Sequence, residues 1–253
     1  MSEFVKKLER ISRGKSQPMG FRPTVEAKTP PMMLVCQLEQ AEVEAINLAL
    51  SAGVDALLFV FKSLKGEIDA LAQISSSIGQ VPWGVRFEDI NMDEVNKLAT
   101  IGCDYLLFKT EVPARILQEE KMGKVVELET SLDDSLLRSL GQLAIDAIFF
   151  NKGEEFPLTI RKLLDYQRVI GLVGKPALAF LPPNLPAGEL ENLWEAGIRG
   201  LITNLSKDSP REELLKIKEA IQRSLPTKRA PKTKIEAVLP AMELPTEEPE
   251  EEI

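Results

Sequence analysis

Residues 53–61 read Gly-Val-Asp-Ala-Leu-Leu-Phe-Val-Phe, and altered copies return at Gly102–Phe108 (GCDYLLF), Ala144–Phe150 (AIDAIFF) and Gly197–Asn204 (GIRGLITN). Each copy is a short apolar run behind a Gly or Ala that closes a helical pattern. That combination fits a parallel strand covered on both faces better than it fits a helix. Four further short apolar runs lie between the copies: Met32–Leu38, Val81–Phe87, Lys124–Glu129 and Lys175–Leu181. Eight strands separated by helical patterns predict an α/β chain, a single (β/α)8 TIM barrel, for which about 250 residues is typical. The 253 residues and their 44% apolar content meet that requirement.

The helical patterns carry their own punctuation. Helices are expected at 39–52, 66–78, 91–101, 112–121, 131–143, 157–173, 187–196 and 210–224, with Gly53 and Gly79 as stops and Asn91 and Ser131 as N-caps. The domain organisation follows as 1–30, an N-terminal amphipathic helix and linker; 31–225, the barrel; and 226–253, a Pro- and Glu-rich acidic tail expected to be disordered. Phe4, Val5, Leu8 and Ile11 share one face of the first helix, with Lys6, Lys7, Arg10 and Arg13 around it. Such a face predicts a lid on the barrel bottom or a short partner-binding helix. Weak contact with an anionic membrane is the other reading.

Charge and cysteine usage exclude some classes. A net charge of −8 argues against nonspecific nucleic-acid binding. Cys36 and Cys103 both fall inside expected strands, where buried reduced thiols are the rule, and no run reaches the roughly 18 apolar residues of a membrane span. A cytoplasmic chain without a transmembrane segment or secretory leader is expected, and a homo-oligomer is compatible with the composition.

Strand alternation selects the candidate site residues. Gln37 and Glu39 on strand one, Arg86 and Glu88 on strand three, and Glu127 and Glu129 on strand five share the inward phase. So do Lys62, Lys109, Asn151 and Asn204 at the ends of the even strands. All lie at C-terminal strand ends, where enzymes of this fold keep their active sites. Mixed charges of this kind serve either a small anion, with or without a metal, or a salt-bridged plug. Lys109, with Glu127 near it, also occupies the kind of strand-end position used by Schiff-base lysines. The turns after strands seven and eight lack the glycines of a phosphate site, which disfavours a phosphorylated ligand.

Several of these stretches resemble the phosphoenolpyruvate/pyruvate-type barrels, which include class II 2-keto-acid aldolases and citrate lyase beta-subunit-like lyases. The similar residues are Gly84-Val85-Arg86-Phe87, Leu106-Leu107-Phe108-Lys109-Thr110-Glu111 and Glu127-Leu128-Glu129-Thr130. The resemblance implies carbon–carbon lyase chemistry on a small carboxylate or 2-oxo acid. Arg86 would hold the carboxylate, with Lys62 and Lys109 as catalytic candidates and Glu127, Asn151 and Asn204 as further substrate contacts. Glu129 would hold Mg²⁺ or Mn²⁺ together with Glu154, which stands where the family has Asp. The family's acidic and His base cluster after strand two is missing, because Val60-Phe61-Lys62 stands there and the chain contains no His. A Lys or Glu base would need a pKa shift of about three units, roughly 4 kcal/mol. The expectation is therefore a lyase-like barrel with weak or lost catalysis; the alternative is a non-catalytic barrel that binds partners through its surfaces and tails.

Overall fold

The computed structural model describes residues 2–13, 30–64, 66–89, 91–151, 156–182, 186–205 and 210–224. Eight parallel strands close into one barrel in sequence order: β1 (Met33–Leu38), β2 (Ala56–Ser63), β3 (Trp83–Asp89), β4 (Tyr105–Phe108), β5 (Gly123–Glu127), β6 (Ala147–Phe150), β7 (Ala177–Phe180) and β8 (Ile198–Asn204). The helices are α1 (Glu3–Arg13), α2 (Val43–Ser51), α3 (Glu67–Ile78), α4 (Met92–Thr100), α5 (Asp134–Gly141), α6 (Ile160–Val173), α7 (Ala187–Ala196) and α8 (Pro210–Ser224). The (β/α)8 reading of the sequence holds.

Several helices start later than expected: α2 at Val43, α6 at Ile160 and α5 at Asp134, where Asp133, not Ser131, is the N-cap because its carboxylate accepts from the Ser135 amide. Two further differences have clear physical reasons. The helix expected at 112–121 is a single 3-10 turn, Ala114–Gln118. Pro113 opens it, and Ile116 is its one buried side chain, so a longer helix would gain little burial. Strand five begins at Gly123 and ends at Glu127, which leaves Glu129 in the following loop. By contrast, the α4 start is as the sequence signals: Asn91 accepts from the Glu94 amide and the Glu94 side chain accepts from the Asn91 amide.

Strand alternation divides the core in two. One cluster fills the space between sheet and helices, and the second fills the barrel with Met33, Val35, Ala56, Leu58, Tyr105, Leu107, Val125, Ala147, Phe149, Leu178 and Ile202. That inner cluster also contains Phe4, Val5 and Leu8, because α1 closes the N-terminal end of the barrel. The Phe4 ring stacks on Tyr105 with centroids 3.9 Å apart. Two glycines make the room: a Cβ on Gly84 would lie 2.6 Å from the Tyr105 ring, and one on Gly123 would lie 2.6 Å from Val5. The apolar face of α1 is thus buried in the barrel, which corrects the membrane-contact reading.

The repeated Asp of the opening motif now has a role. Asp55 accepts from the Leu34 amide and Asp146 from the Lys124 amide, each at 2.8–2.9 Å, so each caps the start of the preceding strand. Asp104 is used differently. Its carboxylate accepts from the Ser2 hydroxyl at 2.6 Å and from the Glu3 and Phe4 amides, and thereby caps α1. In the fourth copy Arg199 replaces Asp and donates to the carbonyls of Trp194 and Ile198.

Burial of acidic groups gives the fold an alkaline limit. Burial pushes the Cys36 thiol from an ordinary 9.0 up to about 12 and raises Cys103 and Tyr105 as well. Each group keeps its proton in the folded chain at a pH where the unfolded chain has lost it. The stabilisation is complete below the unfolded values and disappears as pH rises through the folded ones. Urea midpoints should be level up to about pH 9 and then fall, by about 1.4 kcal/mol per pH unit for each group past its unfolded pKa. In Cys103→Ala the slope should be shallower by one group, and an unchanged slope would contradict this account.

Candidate functional site

The C-terminal strand ends hold the polar inner residues. Gln37 is in register with Leu58, Arg86 with Leu107, Glu127 with Phe149, and Phe180 with Ile202. A tier from the odd strands, Gln37, Arg86, Glu127 and Phe180, therefore stands above the apolar tier of the even strands. Val60 and Phe180 are half-buried and pack on the inner cluster beneath them.

Within this tier the charges satisfy one another. Arg86 donates from Nε to Glu127 Oε2 at 2.9 Å and from Nη2 to Oε1 at 3.2 Å, a two-pronged pair. Asn151 Nδ2 donates to the same Oε1 at 2.9 Å. The side chains of Arg86 and Glu127 are only 16% and 12% exposed, so the pair sits in the mouth rather than over it. Three donors converge on the Glu127 carboxylate, and the Arg86 fork already holds a carboxylate of the chain itself.

The other candidates do not converge on this point. Lys62 is exposed. Lys109 reaches Glu88 at 3.9 Å with both side chains largely in solvent, an arrangement worth little. Glu129 is exposed and accepts from the Ser131 hydroxyl at 3.2 Å. Its loop is held to α6 by Arg168, which donates to the carbonyls of Thr130 and Leu132 and pairs with Asp134. Glu154 lies outside the described residues. Among the described residues no group of three or more His, Cys, Asp and Glu side chains converges, and Glu154, the second ligand expected beside Glu129, is not among them.

A second polar feature lies on the flank of the mouth. Gln37 Nε2 donates to Asn204 Oδ1 at 2.8 Å, while the buried Gln37 Oε1 has no hydrogen-bond partner among the described residues. These two residues line an open cleft of about 520 Å³ between β1, β8 and the start of α2, together with Glu39, Gln40 and Glu42. The sequence placed Gln37 on the inward face but gave it no role. The signal was there: Gln37 is the one strongly polar side chain in the run Met33–Leu38.

These features define the class: a (β/α)8 barrel whose mouth carries an internal ion pair and a polar side cleft. No family model and no curated protein matches the sequence. Solved structures do match. Ligand-free tryptophan synthase from M. tuberculosis superposes with a TM-score of 0.59 at 12% identity, over 76% of this chain and 92% of that one. Phosphoribosyl anthranilate isomerase from Thermus thermophilus gives 0.57 at 15% identity, over 75% and 98%. Tryptophan synthase from Pyrococcus furiosus gives 0.57 at 11%, over 75% and 95%. At such identities the likeness establishes the fold. It also overturns the resemblance to phosphoenolpyruvate/pyruvate-type barrels, because the matching barrels are of another kind and no family model supports the strand-end motifs.

Proposed function

We propose that this barrel acts by binding and does not turn over a substrate at the barrel axis. The observation that carries the reading is the closed set Arg86, Glu127 and Asn151, in which the cation suited to a substrate carboxylate and the enclosed carboxylate suited to proton transfer neutralise each other. General acid–base work requires a group with a free lone pair or proton within reach of the substrate. Here the enclosed groups point at one another, and Lys62, Lys109 and Glu129 stand in solvent around them. The matching enzymes keep the fold but lend no residue-level support at 11–15% identity.

The test is a mixture of small metabolites, pyruvate and oxaloacetate included, incubated with the protein with and without Mg²⁺ or Mn²⁺ and followed by proton NMR. Line broadening of binders with no consumption of any component is the expected result. Conversion at an ordinary enzymatic rate, about 1 per second or faster, that is lost in Glu127→Gln or Glu129→Gln, would establish an enzyme instead.

A further inference from the structure

Building on the binding reading above, we infer that the Arg86–Glu127–Asn151 set receives a small uncharged cyclic amide, a planar ring in which a carbonyl and an N–H lie side by side. The set leaves two polar atoms unused. Arg86 commits Nε and Nη2 to Glu127, and among the described residues nothing accepts from Nη1. The Asn151 amide is oriented by its partner: a carboxylate only accepts, so Nδ2 faces Glu127 and Oδ1 is left without a donor among the described residues. Both unused atoms can be reached. The buried side-chain atoms without a partner among the described residues are Gln37 Oε1, Thr203 Oγ1 and Glu213 Oε2. Arg86 Nη1 and Asn151 Oδ1 are not among them, and both residues are partly exposed.

Position brings a donor, an acceptor and an apolar face together. Arg86 Nη2 and Asn151 Nδ2 both bond to Glu127 Oε1, at 3.2 and 2.9 Å, so the unused Nη1 and Oδ1 belong to neighbouring side chains. The β6–β7 register pairs Phe149 with Leu178 and Phe150 with Ala179, and one step further it sets Asn151 beside Phe180, which is half-buried. A guanidinium N–H, an amide oxygen and an aromatic side chain in a row match the edge and the face of a planar cyclic amide. Its carbonyl accepts from Nη1, its N–H donates to Oδ1, and its ring lies against Phe180. Charge excludes the ions of similar shape. Because Arg86 and Glu127 neutralise each other, an anion meets the Glu127 carboxylate and a cation meets the guanidinium, with no net field to offset the cost.

Four ring compounds of similar size separate the terms. 2-Pyridone carries the carbonyl beside an N–H, 2-pyranone has a ring oxygen in place of that N–H, benzoate is an anion and benzamidinium a cation. Binding of each to the full chain is read by proton–nitrogen NMR titration. 2-Pyridone should bind at least about fivefold more tightly than 2-pyranone, the size of one neutral hydrogen bond, and more tightly than either ion. Asn151→Ala should abolish that preference, because the acceptor that reads the N–H is gone. Phe180→Ala should weaken 2-pyridone and 2-pyranone alike, about threefold or more, and leave the preference intact, whether or not Asn151→Ala folds. Four results overturn the inference: no binding of 2-pyridone at millimolar concentration, equal affinity for 2-pyridone and 2-pyranone, either ion binding as tightly as 2-pyridone, or a preference that survives in folded Asn151→Ala. Any of these removes the site and leaves the binding-only reading to the metabolite mixture. Conversion of a metabolite in that mixture removes the binding-only reading and leaves a site that passes these tests standing.

Discussion

Phe4→Ala should lower the stability of the chain by about 3–5 kcal/mol, the range for emptying a fully buried aromatic site. Phe4 is 0% exposed and stacks on Tyr105, a ring that is itself 0% exposed and donates its hydroxyl to the Leu57 carbonyl at 2.8 Å. The cavity would open at the end of the barrel, where α1 covers the inner cluster, so collapse around it is restricted. Gly123→Val should act in the same direction by overpacking, since its new side chain would meet Val5 and the Ser2 hydroxyl within 2.6–3.0 Å. Urea unfolding of both variants checks the expectation. Losses under about 1 kcal/mol would mean that α1 rests on the barrel without completing its core. Removal of residues 2–13 should be worse than either point change, because it strips the Asp104 cap along with the plug.

The second large effect belongs to the mouth. Arg86→Met should cost about 3 kcal/mol, because Glu127, 12% exposed, would lose both guanidinium donors and keep Asn151 as its donor among the described residues. Glu127→Leu should cost a similar amount for the mirror reason: an unpaired guanidinium above Leu107. Thermal or urea unfolding of each variant reads the loss directly.

The sequence carried the barrel openly because parallel strands in this fold are buried on both faces. Runs such as Leu57–Phe61 and Ile148–Phe150 have no polar interruption, and a helix pattern follows each. Inward phase was legible for the same reason, since one polar residue among apolar neighbours, as Arg86 between Val85 and Phe87, marks the face that leaves the helix layer. Partners were not legible. Whether Arg86 meets Glu127, Glu129 or Glu88 depends on the stagger between strands three to five, which is set by where β5 begins. Gly123 hid that start, because a glycine weakens a strand signal while here it makes room for Val5 and Ser2.

The family resemblance misled through the same physics. A Val-Arg pair ending strand three and a Glu-x-Glu-Thr ending strand five are what buried parallel strands produce wherever they emerge into a polar mouth. Such short motifs therefore do not distinguish one barrel lineage from another. The helix 112–121 failed for a simpler cause: one buried side chain cannot hold three turns. The α1 apolar face was legible as a lid on the barrel bottom, beside a partner-binding helix or a membrane, and the packing of Phe4, Val5 and Leu8 into the inner cluster selects the lid.

The central claim is that Arg86 and Glu127 form a structural closure of the mouth, and the double variant Arg86→Met with Glu127→Leu tests it most directly. Replacing a paired set of enclosed charges by apolar groups of similar size is often neutral or stabilising. Urea unfolding should therefore place the double variant within about 1 kcal/mol of the parent, well above either single variant and far from the sum of their losses. A double variant whose destabilisation equals that sum would show that the two side chains do not close on each other, and would contradict the account.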